Sequence, residues 1–347
     1  MFLKKIKLIN FRNFKEKELI FDKNIALIIG KNSLGKTNIL ESIHFLINGV
    51  GFREEKEEEL IKFQEKEAKV LGDFLINKDF LLYSIFLKLE KTGKTTKKFY
   101  IEKSEKKHFL YQKEQTKTVL FSPEQLEIII GSPESRRNYF DKIISLFDKE
   151  YKKKLINYEQ ALRKRNKILE LKLDFKKLID ELYFWDNYLI EQGSYLTLKR
   201  EEYINFLNSN QKIYNQFFSI KYLKNEINKE NLKDSLEESI KYKRTIIGPQ
   251  RDDFEIYLLN NKDNQEKNIH KFGSRSEQRL ALFWLKINEI KYIEKNKKIK
   301  PIILLDDIFS ELDEDNRKII FPIINNYQTF ATSVEKLNID YCQYLYL

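Results

Sequence analysis

Residues 25–49, IALIIGKNSLGKTNILESIHFLING, constrain this chain more than any other segment. Ile25–Ile29 is an apolar run ending at a glycine, the pattern of a strand buried on both faces. Gly30, Lys31, Asn32, Ser33, Leu34, Gly35, Lys36 and Thr37 then form a G-x-x-x-x-G-K-[ST] phosphate-binding loop, followed by Asn38. Ile39, Leu40, Ile43 and Ile47 recur at helical spacing, and Asn48-Gly49 supplies the stop, since glycine takes the left-handed conformation that a helix end needs. A loop between a strand end and a helix N-terminus points backbone N–H groups at an anion, and the helix dipole favours negative charge there. Gly30 and Gly35 let the backbone curl round a phosphate with no Cβ in the way. Lys36 brings a compact cation to the β- and γ-phosphates, and Thr37 places a hydroxyl on Mg²⁺. Residues 30–38 are therefore the expected nucleotide-phosphate site.

At 347 residues the chain can form one large α/β domain with an insertion, or two lobes. It holds no run of about 18 apolar residues, so no membrane helix is expected. The single cysteine, Cys342, excludes an internal disulfide framework and fits a cytoplasmic location. His44, His108 and His270 are scattered without ligand-spaced partners and are expected to be structural. A net charge of +11 suggests a polyanionic partner, but lysine dominates the basic residues alongside abundant Ile, Asn and Phe. That bias fits AT-rich coding as well as nucleic-acid binding. The few arginines, among them Arg12, Arg136, Arg137, Arg251, Arg275 and Arg279, mark places where a planar fork is needed.

Period-two alternation through Phe2–Ile9 and Leu19–Ile29 predicts strands leading into the loop. The runs AKVLGDFLI, FLLYSIFLKL, KKFYIE and KTVLF predict an antiparallel section, with a turn at Lys91-Thr92-Gly93-Lys94. From Ser122-Pro123 onward glycine is scarce and apolar residues recur at i, i+3 and i+4, which predicts a mostly helical lobe over 122–243. The ATPase head is thereby split into an N-terminal half, 1–121, and a C-terminal half, 244–347. In the latter, Ser274 and Glu277 have capping-box spacing before a helix burying Leu280, Phe283, Trp284, Ile287 and Ile290. A helix from about Asp313 to Ile324 and a strand near Thr329–Thr332 complete the α/β alternation.

The apolar strand Ile302–Leu305 delivers Asp306 and Asp307 at its C-terminal end, where nucleoside triphosphatases place a metal-holding and a water-polarising carboxylate. Asp306 is the candidate Mg²⁺ partner of Thr37, and Asp307 the candidate catalytic base beside Lys36. With the loop some 270 residues upstream, the head must be split by an insertion.

The order of phosphate loop, Ser-initiated helix, PIILLDD strand and Ser310-Glu311-Leu312-Asp313 resembles ABC-type ATPase heads of the SMC and Rad50 group. More narrowly, Asn10–Phe14, Phe121–Glu124, Gly131–Pro133 with Arg136-Arg137 and Asp141, Arg165-Asn166, Gly248-Pro249 with Arg251–Asp253, and Leu304–Asp313 resemble the bacterial RecF family. That resemblance implies a mixed-sheet α/β ATPase head with a helical lobe, binding ATP and Mg²⁺ and hydrolysing slowly, as a weak switch-like ATPase. It implies an ATP-dependent homodimer acting on DNA at single-strand gaps or duplex junctions in repair and replication restart, with mediator partners of the RecR and RecO type. It also assigns Ser274 to Gln278 as the signature segment that meets the γ-phosphate bound to the other subunit, Asp313 to the dimer-facing loop and Thr332 to a switch position.

Two departures stand out. Ser276 and Glu277 stand where the family has a glycine and the first of two glutamines, the second being Gln278, so a Cβ and a carboxylate are expected to weaken engagement in trans. Gln250 replaces the usual histidine before RDD. The alternative reading is an SMC-like head that acts as a structural or protein-interaction switch without recognising DNA.

Overall fold

The computed structural model describes residues 1–171, 173–260, 265–310, 321–337, 339 and 341–347. It divides into two compact units, one of residues 1–123 with 289–347 and one of residues 124–288.

The first part of the chain forms strands β1 (Phe2–Phe11), β2 (Phe14–Ile20), β3 (Ile25–Ile29), β4 (Glu67–Ile76), β5 (Asp79–Leu89), β6 (Thr95–Ile101), β7 (Ser104–Lys106) and β8 (Thr118–Phe121). The 124–288 unit adds β9 (Lys212–Ile213), β10 (Gln216–Leu223), β11 (Asp253–Asn260) and β12 (Gln265–Asn268). After it come β13 (Ile302–Leu305), β14 (Thr329–Ser333) and β15 (Cys342–Tyr346).

In the first unit an antiparallel sheet of order β2-β1-β4-β5-β6-β7 faces a parallel sheet of order β15-β3-β14-β13-β8 across one core. Helix Lys36–Asn48 fills that core: Ile39, Leu40, Ile43, Phe45, Leu46 and Ile47 are fully buried. A helix apolar on nearly every side is stable only when sandwiched in this way. Gly72 in β4 permits the close approach, because a Cβ there would stand 2.4 Å from Leu46. The strands β3, β8, β13 and β14 have no exposed residue, as expected of parallel strands covered on both faces.

The expected antiparallel section holds for β4, β5 and β6, with Gly93 at φ 77 in the predicted turn. The run KTVLF does not belong to it. Thr118–Phe121 pairs in parallel with β13, because four consecutive buried residues need cover on both faces.

The second unit contains helices Pro133–Phe147, Lys149–Leu169 and Phe175–Asn208, the last two packed as a pair. Each starts on a side-chain cap, at Ser132, Asp148 and Asp174. Its boundary and content differ from the helical lobe expected over 122–243. A four-stranded antiparallel sheet, β12-β11-β10-β9, lies within the unit, so residues 244–288 pack with it through the β10–β11 pairing. Phe218 of β10 stacks on Trp284, and Trp284 Nε1 donates to Asn210 O at 2.7 Å. Helix Arg275–Lys297 is buried beyond the predicted stripe: Ala281, Leu282, Leu285, Lys286 and Asn288 are also buried.

Most of the expected helix Asp313–Ile324, including Asp313 itself, lies outside the described residues. No described helix is long and apolar enough to cross a membrane.

Candidate active site at the phosphate-binding loop

Strand β3 ends at Gly30, whose N–H donates to Ser333 O at 3.3 Å and so ties the loop's entry to the end of β14. Ser33 and Gly35 take positive φ, 71° and 98°. Gly35 is required for space as well as torsion, since a Cβ would meet the Asn13 side chain at 2.6 Å and the Phe14 ring at 2.8 Å. Asn13 Nδ2 in turn donates to Leu34 O at 3.2 Å, holding the loop's far side. Lys36 is 7% exposed, and its Nζ donates to Gly30 O at 2.9 Å, Lys31 O at 3.3 Å and Asn32 Oδ1 at 3.5 Å. A buried ammonium needs oxygen partners. The loop's own oxygens serve here, and phosphate oxygens are stronger acceptors of the same kind.

The carboxylate predicted from the far end of the chain meets this loop. Asp306 is 5% exposed, and its Oδ1 accepts from Thr37 Oγ1 and from Thr332 Oγ1, both at 2.9 Å. Asp306 N–H donates to Phe121 O at 2.9 Å, fixing the residue to β8. Asp307 adopts φ 53, and its N–H donates to Thr332 Oγ1 at 2.8 Å. The buried Thr332 hydroxyl therefore orients both aspartates. The residues themselves pointed to the carboxylate pair and to Thr37; the Thr332 contact follows from β14 lying beside both β13 and β3. A threonine hydroxyl beside a buried carboxylate is a hard-oxygen donor set suited to Mg²⁺. The glycine cradle and buried ammonium suit the phosphates of a nucleotide.

Glu41, on the loop helix, is fully buried and supports the loop's rim. Arg12 grips it with two bonds, Nε to Oε2 at 2.7 Å and NH2 to Oε1 at 2.8 Å, and Arg53 adds a third at 3.2 Å. Asn38 donates to Asn13 and accepts from Arg53, closing the circuit. Burial alone would raise the Glu41 pKa, but the two guanidiniums outweigh it and hold the carboxyl below its usual 4.5. A lowered folded pKa contributes stability that is present above pH 4.5 and is lost as pH falls through the folded value. Melting temperatures of the wild type and Glu41→Gln, measured from pH 7 to pH 3, are expected to converge at the acid end. A constant gap would show that ionisation of Glu41 contributes nothing.

Residues Ser274 to Gln278, expected from the resemblance to be the signature segment, lie in the second unit. The predicted capping box is formed: Ser274 N–H donates to Glu277 Oε2 at 2.7 Å and Glu277 N–H to Ser274 Oγ at 3.3 Å. Glu277 is also held by Lys267 Nζ at 2.8 and 3.0 Å, so its charge is paired within the unit. Gln278 N–H donates to Ser274 O at 2.9 Å within the first turn.

The GP-x-RDD element serves as a structural hub. Arg200, 2% exposed, reaches Asp141 at 2.9 Å, Asp252 at 2.7 Å and Pro249 O at 2.7 Å. Arg136 grips Asp253 at 2.7 and 3.0 Å, and Arg137 NH1 donates to Asp252 O at 2.8 Å. Gln250 Oε1 accepts from the Tyr158 hydroxyl, while its Nε2 donates to Ile247 O at 2.7 Å. Gln250 thus has an internal packing role. The histidines bond internally as well: His44 to Thr118 Oγ1 at 2.7 Å, His108 to Asn48 O at 3.3 Å and His270 to Ile129 O at 3.1 Å.

With this geometry in place, the sequence matches the RecF/RecN/SMC N-terminal domain family over residues 2–343. It is 34% identical to the DNA replication and repair protein RecF of Caldanaerobacter subterraneus subsp. tengcongensis, across 98% of this chain and 96% of that protein. The chain belongs to the RecF family. The RecF of Clostridium botulinum is 35% identical, over 96% of this chain and 92% of its own length. A solved structure of the recombination mediator RecF with ATP, from the RecFOR pathway, superposes with a TM-score of 0.81 at 32% identity, covering 99% of this chain and 95% of that one. The SMC head of Pyrococcus furiosus, at 19% identity and a TM-score of 0.52, shares the fold. The mixed α/β head of the RecF and SMC type is the fold of this chain.

Proposed function

We propose that this RecF-family chain is an ATP-dependent DNA-binding protein of recombinational repair and replication restart. It would dimerise around ATP, act at single-strand gaps beside duplex DNA, and hydrolyse ATP slowly. The observation that carries the nucleotide part is the contact of Thr37 and Thr332 with one oxygen of Asp306, which joins the phosphate loop to the carboxylate strand in one site.

In this reading Gly30 to Asn38 cradle the phosphates, and Lys36 exchanges its loop oxygens for those of the β- and γ-phosphates. Thr37 and Asp306 hold Mg²⁺, which neutralises charge on the phosphates when bound. Asp307 accepts the proton of the attacking water, positioned by its backbone bond to Thr332. Ser274 to Gln278 of a second copy close the site. Lys267 offsets the charge of Glu277, which reduces the penalty of a carboxylate near a γ-phosphate. Partners of the RecR and RecO type, and a cytoplasmic location, follow from the same reading.

The test is the ATPase rate against protein concentration, with and without gapped duplex. A rate that rises with the square of concentration, and rises further with DNA, is expected. A flat specific activity would refute the dimeric site, and indifference to DNA would favour the protein-interaction switch.

A further inference from the structure

Helix Lys149–Leu169 buries Tyr151, Tyr158, Ala161, Arg165 and Leu169 on one side. At 100° per residue, the opposite side carries Lys149, Lys152, Lys153, Arg163, Lys164 and Lys167, all exposed. The helix has two carboxylates. Glu150 is turned to the flank, 3.7 Å from Lys154, and Glu159 stands at the edge of the basic face. Among the described residues Lys152, Lys153, Arg163, Lys164 and Lys167 make no ion pair. The neighbouring helix Phe175–Asn208 shows the contrast. Its exposed Lys176, Lys177, Asp180, Glu181 and Glu191 mix both signs, as a merely solvated surface does.

The basic residues fall in two clusters, 149–153 and 163–167, with centres about 20 Å apart along the helix. Ile156, Asn157 and Gln160 separate them. A face about 30 Å long that carries one sign of charge matches a polymer of regularly spaced negative charge, and duplex DNA presents a charge every ~1.7 Å of axis. It offers no aromatic ring for base stacking, which argues for backbone contact over base reading.

We infer that the outer face of helix Lys149–Leu169 is a phosphate-tracking surface for the backbone of duplex DNA. The inference rests on the DNA-binding reading above and places its contact surface. The face belongs to the second unit and the phosphate loop to the first, so nucleotide binding should survive its neutralisation.

The test compares the full chain with Arg163→Gln/Lys164→Gln/Lys167→Gln and with a control of equal charge loss on the β5–β6 hairpin, Lys88→Gln/Lys91→Gln/Lys94→Gln. Each is titrated against a fluorescent duplex, the matching single strand, and vesicles of one-quarter phosphatidylserine, at several salt concentrations. The expected result is a salt slope on duplex reduced by about 3 in the helix variant, with affinity about tenfold or more weaker, while the control keeps the wild-type slope. Equal slopes in all three proteins, with steep binding by the wild type, would overturn the surface but leave the DNA reading standing. Absence of salt-sensitive DNA binding by the wild type would overturn both. Loss confined to the vesicles or to single-stranded DNA would overturn duplex as the occupant.

Discussion

Lys36→Ala is expected to abolish ATP-dependent dimerisation and to weaken ATP binding by about a hundredfold or more. The estimate follows from removing charge-assisted bonds worth about 1.5–3 kcal/mol each to the two terminal phosphates, at about 1.4 kcal/mol per tenfold. The same substitution strips three oxygens of the loop of their shared donor. The nucleotide-free protein should nevertheless stay folded, because helix Lys36–Asn48 is held by its apolar residues rather than by the amine. Light scattering with and without ATP, together with calorimetric titration, reads both effects. If the wild type shows the same oligomeric state with and without ATP, the switch reading fails whatever the variant does.

Arg200→Ala is the second large effect, on stability. The guanidinium lies between Asp141 and Asp252, and Asp252 is fully buried. Removing it leaves one fully buried and one largely buried carboxylate without their cation, a change that costs about 3–5 kcal/mol where a buried pair has been measured. Tyr222 and the Asn225 N–H also donate to Asp252, at 2.5 and 2.7 Å, and these bonds limit the loss by keeping it solvated by protein. Urea unfolding should show a lowered midpoint for the transition of the second unit, with Arg200→Lys recovering part of it. The recovery should be partial because an ammonium cannot reach both carboxylates and Pro249 O with a planar fork. An unfolding free energy within about 0.5 kcal/mol of wild type would show that the hub is dispensable.

What could be read from the residues alone follows the range of the interactions. The loop and its helix are local, so their periodicity, glycines and stop signal were all visible between Ile25 and Gly49. The Asp306 strand was visible because four apolar residues followed by two acids read the same in isolation as in the sheet. The β10–β11 pairing was hidden. Gln216–Leu223 finds its partner about thirty residues later, and the scarcity of glycine around it favoured a helical reading. Thr118–Phe121 was assigned to the wrong sheet for a related reason: an apolar run announces burial, whereas its neighbours in the sheet are decided by contacts with residues 302–305. The arginines told more than their number suggested. Of the six arginines that read as places needing a fork, Arg12, Arg136 and Arg137 each bond a carboxylate or a buried carbonyl in the structure, whereas Arg251 and Arg275 are exposed. Arg200, which bonds Asp141, Asp252 and Pro249 O, carried no distinguishing local pattern; the one sign was an arginine where this chain ordinarily uses lysine.

The strand order β15-β3-β14 has a consequence for how the chain is made. On the ribosome, β3 emerges with its phosphate loop about 300 residues before either of its neighbours in the parallel sheet. At ~5–20 residues per second, that is about 15–60 s during which five buried-type residues have no sheet to join. The second unit is continuous in sequence and can settle in the meantime. The nucleotide site is accordingly among the last parts of the molecule to form, and a truncated translation product would carry an intact loop sequence with no β14 or β15 to hold it.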